Sequence, residues 1–126
     1  MTRAEIFGVR DLGFSGWVRT ALTSERGFTA FDIDFVFRDY VRRRMQIVEV
    51  KTRGGNLSVL QKIALPEIAK IFAAGIAAGA PEPGWTWCGF HELKLENTTP
   101  KDGQIWWDGE LVSEIDLIQL LEMRAI

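Results

Sequence analysis

The stretch Phe31 to Phe37 reads Phe-Asp-Ile-Asp-Phe-Val-Phe, and its alternation constrains the fold more than any other segment. On a strand it places Phe31, Ile33, Phe35 and Phe37 on one face and Asp32, Asp34 and Val36 on the other. A second run, Met45-Gln46-Ile47-Val48-Glu49-Val50-Lys51, is rich in β-branched residues and follows after a short connection. Together they predict an antiparallel hairpin, ended by Thr52 to Asn56 with its Gly54-Gly55 pair. Val41-Arg42 lacks the Gly or Asn of a two-residue turn, so a loop over 40–43 is expected. That register sets Asp34 opposite Glu49 and Asp32 opposite Lys51. A slip of one residue would turn the two acid groups to opposite faces.

The flanking patterns supply the other elements. Ser15 can cap a short helix carrying Trp17, Val18, Ala21 and Leu22 on one side. From Leu57 to about Gly79 the spacing of Leu60, Ala64, Ile68, Ile71 (or Phe72) and Gly75 predicts helix, with Pro66 kinking or dividing it. Trp85 to Leu95 reads as a long strand, Gln104 to Trp107 as a short one, and Asp108-Gly109 as a hairpin turn into Glu110 to Val112. Ser113-Glu114-Ile115-Asp116 has the form of a capping box opening a last helix. The expected order is α, β-hairpin, α, β, β-hairpin, α, which is α/β or mixed α+β. With 126 residues and no composition break, residues 1–126 are expected to form a single domain.

Residue types narrow the chemistry. One Cys (Cys88) and one His (His91) exclude a Cys/His zinc site, which needs three or four such ligands, and allow no internal disulfide. His91 and Cys88 read as structural residues of the long strand, and the tryptophans, Trp85, Trp87, Trp106 and Trp107 above all, first as core and sheet-face residues, with one or two able to stack on bases of a single strand. Chemistry must then rest on carboxylates, amides and lysine, with or without a hard metal ion. The longest apolar run, Ile71 to Ala80, falls short of the roughly 18 residues of a membrane span, and MTRAEIFGVRD has no apolar signal core. A cytoplasmic protein with no membrane association is the expectation.

Net charge is −2 but unevenly distributed. Residues 1–80 hold 12 Lys/Arg against 8 Asp/Glu, whereas residues 81–126 hold 3 against 9. Arg38, Arg42, Arg43, Arg44, Lys51 and Arg53 crowd one short segment whose acids are only Asp39 and Glu49. Such a run is either a solvated face or the footprint of an anionic partner.

Asp32, Asp34 and Glu49 stand where strand packing expects apolar or hydroxyl residues. Directly opposed like charges destabilise a hairpin unless something neutralises them. One resolution is cross-strand pairing with Lys51 and nearby arginines. The other is a hard cation such as Mg²⁺, held by carboxylate, carbonyl and water oxygens.

Asp34, followed on the partner strand by Glu49-Val50-Lys51 and then by Gln61 on the next helix, resembles the PD-(D/E)XK nuclease superfamily and its RecB-like branch, including small Holliday-junction-resolvase-like domains. The resemblance covers roughly residues 15–72, with Ile33 where the family's Pro would stand. It implies a restriction-endonuclease-like core, a central mixed sheet whose β-hairpin carries the site. It further implies a Mg²⁺- or Mn²⁺-dependent deoxyribonuclease hydrolysing phosphodiester bonds. Asp34, Glu49 and the Val50 carbonyl would bind the metal, with Asp32 as an additional ligand and Lys51 and Gln61 in catalysis. Many members carry a Glu on the first helix, for which only Glu5 or Glu25 is available. Arg42, Arg43, Arg44 and Arg53 would contact DNA, and a homodimer and a phage or mobile-element setting are expected. The alternatives are an inactive nucleic-acid- or protein-binding module of the same fold, or an accessory subunit whose acids are salt-bridged.

Overall fold

The computed structural model describes residues 13–22, 25, 27 and 31–124. In chain order the elements are α1 (Gly13–Ala21), β1 (Phe35–Asp39), β2 (Arg44–Thr52), α2 (Val59–Ala77), β3 (Thr86–Leu95), β4 (Ile105–Trp107), β5 (Glu110–Val112) and α3 (Glu114–Leu121). Contacts divide the chain into two compact units, Met1–Asp32 and Ile33–Ile126. The described part of the first unit is built around α1. This helix starts at Gly13, so Ser15 lies inside it rather than at its cap, and the Phe14 and Trp17 rings stack at 5.8 Å.

The second unit is a five-stranded mixed sheet in the order β1-β2-β3-β4-β5 with flanking helices. The β1–β2 pair is antiparallel, and Phe35↔Val48 through Asp39↔Arg44 follow the register expected for a loop over 40–43. β1 itself is later than predicted, beginning at Phe35 rather than Phe31. Asp39 explains how a loop without Gly or Asn closes: its Oδ1 accepts from the backbone N–H groups of Val41 and Arg42, both at 3.0 Å. The Arg42 amide bond is the main cause holding the Asp39 carboxyl below its ordinary pKa.

β2 and β3 are parallel, so α2 is their crossover. Its N-cap is Ser58, which shares a capping box with Gln61. One continuous helix runs through Pro66. The ring removes the bond to the Lys62 carbonyl, but Lys62 and Pro66 are both exposed, where water can satisfy that oxygen. Ala64 and Leu65 are buried, and Phe72, still 37% exposed, packs its ring 5.6 Å from Trp87. Ile71 is 69% exposed, which settles the Ile71-or-Phe72 ambiguity in favour of Phe72.

The two sheet faces differ. On one, Val48, Leu93, Leu95, Ile105 and Trp107 form the core with Leu117 of α3. Buried Gln46 belongs to this side and donates to the Leu120 and Leu121 carbonyls at the end of α3, at 3.1 and 3.3 Å. At the start of α3 the Ser113 side chain accepts from Asp116 N, so half of the expected capping box forms. On the other face, α2 covers the part of the sheet that carries Ile47 and Trp87. Gln46 to Glu49 are therefore buried on both sides of the strand.

Alternation along β3 is broken once. Met45 pairs with Trp87 but Ile47 with Phe90, so β3 carries one extra residue, at a bulge where Gly89 has φ +103°. A Cβ at Gly89 would lie 3.1 Å from His91 Nε2. The bulge reverses parity: Phe90, Glu92 and Lys94, rather than His91 and Leu93, share the face of Trp87. His91 locks this geometry. Its Nε2 lies 2.7 Å from the Cys88 carbonyl, its Nδ1 2.6 Å from Asp108 Oδ2, and its ring stacks on Trp107 at 4.7 Å. Asp108 and Gly109, both at positive φ, close the β4–β5 hairpin as expected.

Candidate functional site

Just before β1 begins, the hairpin register carries on to bring Asp34 beside Glu49. Asp34 N donates to Glu49 Oε1 at 2.8 Å, and Val50 N donates to Asp34 Oδ2 at 2.9 Å. The Asp34 carboxylate thus occupies the place a strand neighbour would fill. The N–H and C=O of one strand residue point to the same side, so the Val50 carbonyl is directed toward Asp34 as well. Gln61, at the first turn of α2, completes the group: its Nε2 donates to Glu49 Oε2 at 3.3 Å while its Oε1 accepts from Ser58 N at 3.0 Å. One glutamine side chain therefore caps the helix and ties it to the acid.

Glu49 is fully buried, at 0% exposure, and its carboxyl pKa is raised. Burial is the largest cause. The Asp34 amide works against it, the Asp34 carboxylate adds repulsion and a side-chain hydrogen bond that raise it further, and Lys51 lowers it. Two carboxyl groups that crowd each other in this way favour sharing a proton or holding a cation. The oxygens available to a cation are those of Asp34, Glu49 and the Val50 carbonyl, a hard-donor set of the kind Mg²⁺ accepts with water completing its shell. Among the described residues no group of three or more His, Cys, Asp or Glu is placed to hold a metal ion, so such a site would rest on two carboxylates. Asp32 and Glu25 are exposed residues of the first unit, and Glu5 lies outside the described residues.

Lys51 lies on the same face as Glu49, two residues on, at the wall of a groove of about 470 Å³. Gly54, Gly55, Lys94, Leu95, Glu96, Trp106 and Gly109 form the rest of its lining. The glycines belong to a tight turn in which Arg53 and Gly54 have positive φ and Gly55 N donates to Thr52 O at 2.9 Å. Arg53 is exposed at this end of the hairpin.

The remaining basic residues are elsewhere. Arg42, Arg43 and Arg44 sit at the opposite end of the hairpin, the nearest of them, Arg44, five residues or about 16 Å along β2 from Glu49. Each is engaged within the chain: Arg42 with Asp39, Arg43 with the Pro83 carbonyl and Glu82, and Arg44 with the Met123 carbonyl. They therefore lie at the hairpin tip, away from Asp34 and Glu49 at its open end. Cys88 is half-buried, and burial pushes its thiol pKa up.

Lys94 was not anticipated, and Trp106 was one of several tryptophans open to either a sheet-face or a base-stacking role. Lys51 pairs with Lys94 and Lys94 with Trp106 across three strands. A signal for this existed: Glu92-Leu93-Lys94 repeats the form of Glu49-Val50-Lys51, and the parallel pairing sets the two in register.

The class that fold and site define is a mixed α/β chain in which the exposed Asp34 meets the buried Glu49 at the open end of a hairpin, beside a lysine-walled groove. No family model, no curated protein and no solved structure matches the chain. Among the described residues no helix is long and apolar enough to cross a membrane.

Proposed function

We propose that this chain is a metal-dependent nuclease that hydrolyses DNA phosphodiester bonds, on a restriction-endonuclease-like core. One observation carries the reading: Asp34 and the fully buried Glu49 are held against each other by hydrogen bonds from Asp34 N, Val50 N and Gln61 Nε2, with a lysine two residues away. A fold gains nothing in stability from burying the Glu49 carboxyl against a second acid, so the arrangement speaks for chemistry. The order of elements, a hairpin followed by a crossover helix and a parallel strand, agrees with such a core.

Asp34, Glu49 and the Val50 carbonyl would hold Mg²⁺ or Mn²⁺. When bound, the ion supplies an activated water and neutralises charge on the phosphodiester. The chain's own residues do the rest. Gln61 keeps Glu49 aimed while its other end is tied to the α2 cap. The Lys51 ammonium faces the groove at the site and stabilises negative charge that develops on the phosphate in the transition state.

The test is a Mn²⁺ titration by calorimetry alongside cleavage assays on single-stranded, duplex and branched DNA. Saturable binding lost in Glu49→Gln, together with metal-dependent cleavage, supports the reading. No binding and no cleavage of any form overturns it in favour of salt-bridged acids.

A further inference from the structure

We propose that the groove beside Lys51 is a subsite for one unpaired nucleotide, with the phosphate between Lys51 and Lys94 and the base stacked on Trp106. The inference rests on the nucleic-acid reading of the neighbouring carboxylate site and names the substrate form it selects: a strand with unstacked bases.

Three independent features point there. Lys51 and Lys94 are directly paired neighbours on parallel strands with side chains on one face. Like charges so placed repel, and an anion between them removes the cost. Lys94 is also not left to swing into solvent, because its Nζ donates to Asn56 Oδ1 at 2.6 Å, which holds the ammonium at the groove wall. Finally, the next residue in the same row is Trp106, half-buried, with its side chain in the groove lining. It stands two strand spacings, about 10 Å, from Lys51.

Shape agrees with charge. The groove volume of about 470 Å³ lies within the range of small-molecule sites, about 300–1,000 Å³. Its glycine positions, Gly54, Gly55 and Gly109, keep the rim free of side chains, so a strand can approach the backbone closely. Glu96, the one acid in the lining, has its Oε1 occupied by Gln104 N at 2.9 Å. Both faces of an internal duplex base are covered by its stacked neighbours, so such a base is not free to stack on Trp106 and the interior of an intact duplex does not fill this subsite.

The experiment measures binding of a fluorescein-labelled dT12 strand and of a blunt duplex of equal length, by anisotropy in EDTA across a salt series. Trp106→Leu is expected to weaken dT12 binding by about tenfold or more and duplex binding by less than twofold. Trp106→Phe, which keeps a stacking face, should restore most of the loss. Lys94→Ala should reduce the slope of log K against log salt for dT12 by about 0.7, the value for one single-strand phosphate contact. Equal losses on both DNA forms, or an unchanged dT12 affinity in Trp106→Leu, overturn the proposal. Should Leu at 106 unfold the chain, the Lys94→Ala slope decides alone, and an unchanged slope overturns it. The two proposals fail separately. Trp106-dependent dT12 binding without cleavage of any DNA refutes the nuclease and keeps the subsite, while metal-dependent cleavage with Trp106→Leu binding unaltered refutes the subsite alone.

Discussion

At the residue scale the protein turns on how Glu49 is charged. Its carboxyl has a pKa above the ordinary 4.5, chiefly because it is buried and then because Asp34 repels its charge. Such a group binds its proton more tightly folded than unfolded. Its contribution to stability is therefore fully present below about pH 4.5 and is lost as pH rises through the raised folded value. Metal-free Glu49→Gln should then melt higher than wild type at pH 7, with the gap closing near pH 4, as thermal melts across pH would show. A salt-bridged Glu49 predicts the opposite order. The functional counterpart separates two roles: Glu49→Gln should lose metal affinity and cleavage together. Lys51→Ala should keep the metal and lose cleavage by at least about 10²-fold. Calorimetry and single-turnover cleavage on the same samples distinguish these patterns.

Among the elements, α2 couples the fold to the site through its first turn. Ser58 and Gln61 form the capping box, and only Gln61 also reaches Glu49. Ser58→Ala should cost about 1 kcal/mol of stability and leave Mn²⁺ affinity nearly unchanged. Gln61→Ala should lower both, since Glu49 then loses a buried donor. Equal metal affinities in the two variants would assign Gln61 to the cap alone. The β1–β2 hairpin behaves as a lever with different chemistry at its two ends. Arg44 donates to the Met123 carbonyl beyond α3, so Arg44→Ala should lower stability by about 1.5–3 kcal/mol, read from urea unfolding. Arg42 lies mainly in solvent beside Asp39, and Arg42→Ala should leave the midpoint unchanged.

For the whole molecule, a cation bound to the native state and not to the unfolded chain stabilises it by mass action. At a hundredfold excess over Kd the gain is about 2.7 kcal/mol. Mn²⁺ should raise the melting temperature of the wild type and of Lys51→Ala, and leave Glu49→Gln where it was. An equal rise in all three would place the cation away from Glu49. The second compact unit has the architecture to transmit such a gain, because β2, which carries Glu49, is paired on both edges and buried on both faces.

Strand alternation, turn residues and caps are local properties, and they were legible along the chain. The order of elements, the hairpin register that joins Asp34 to Glu49, the Asp108-Gly109 turn and the Ser113 cap all follow from neighbours within a few residues. The late start of β1 was not legible, since Asp34 leaves the ladder to accept from Val50 N, and alternation alone does not reveal which residue a backbone donor will choose. Gln61 carried only half of its meaning in sequence. Its match to the resembled nuclease pattern and its distance from Ser58 were readable, but the approach of α2 to β2 alone let one side chain serve both. The groove belonged to the tertiary structure entirely. Lys51, Lys94 and Trp106 are far apart in the chain and meet through a parallel pairing made by a crossover helix. The bulge at Gly89 then shifted parity along β3 and brought Glu92 and Lys94 onto the face of Glu49 and Lys51. A single extra residue in one strand, compensated by a His91 that bonds across it, decided which side chains share the site.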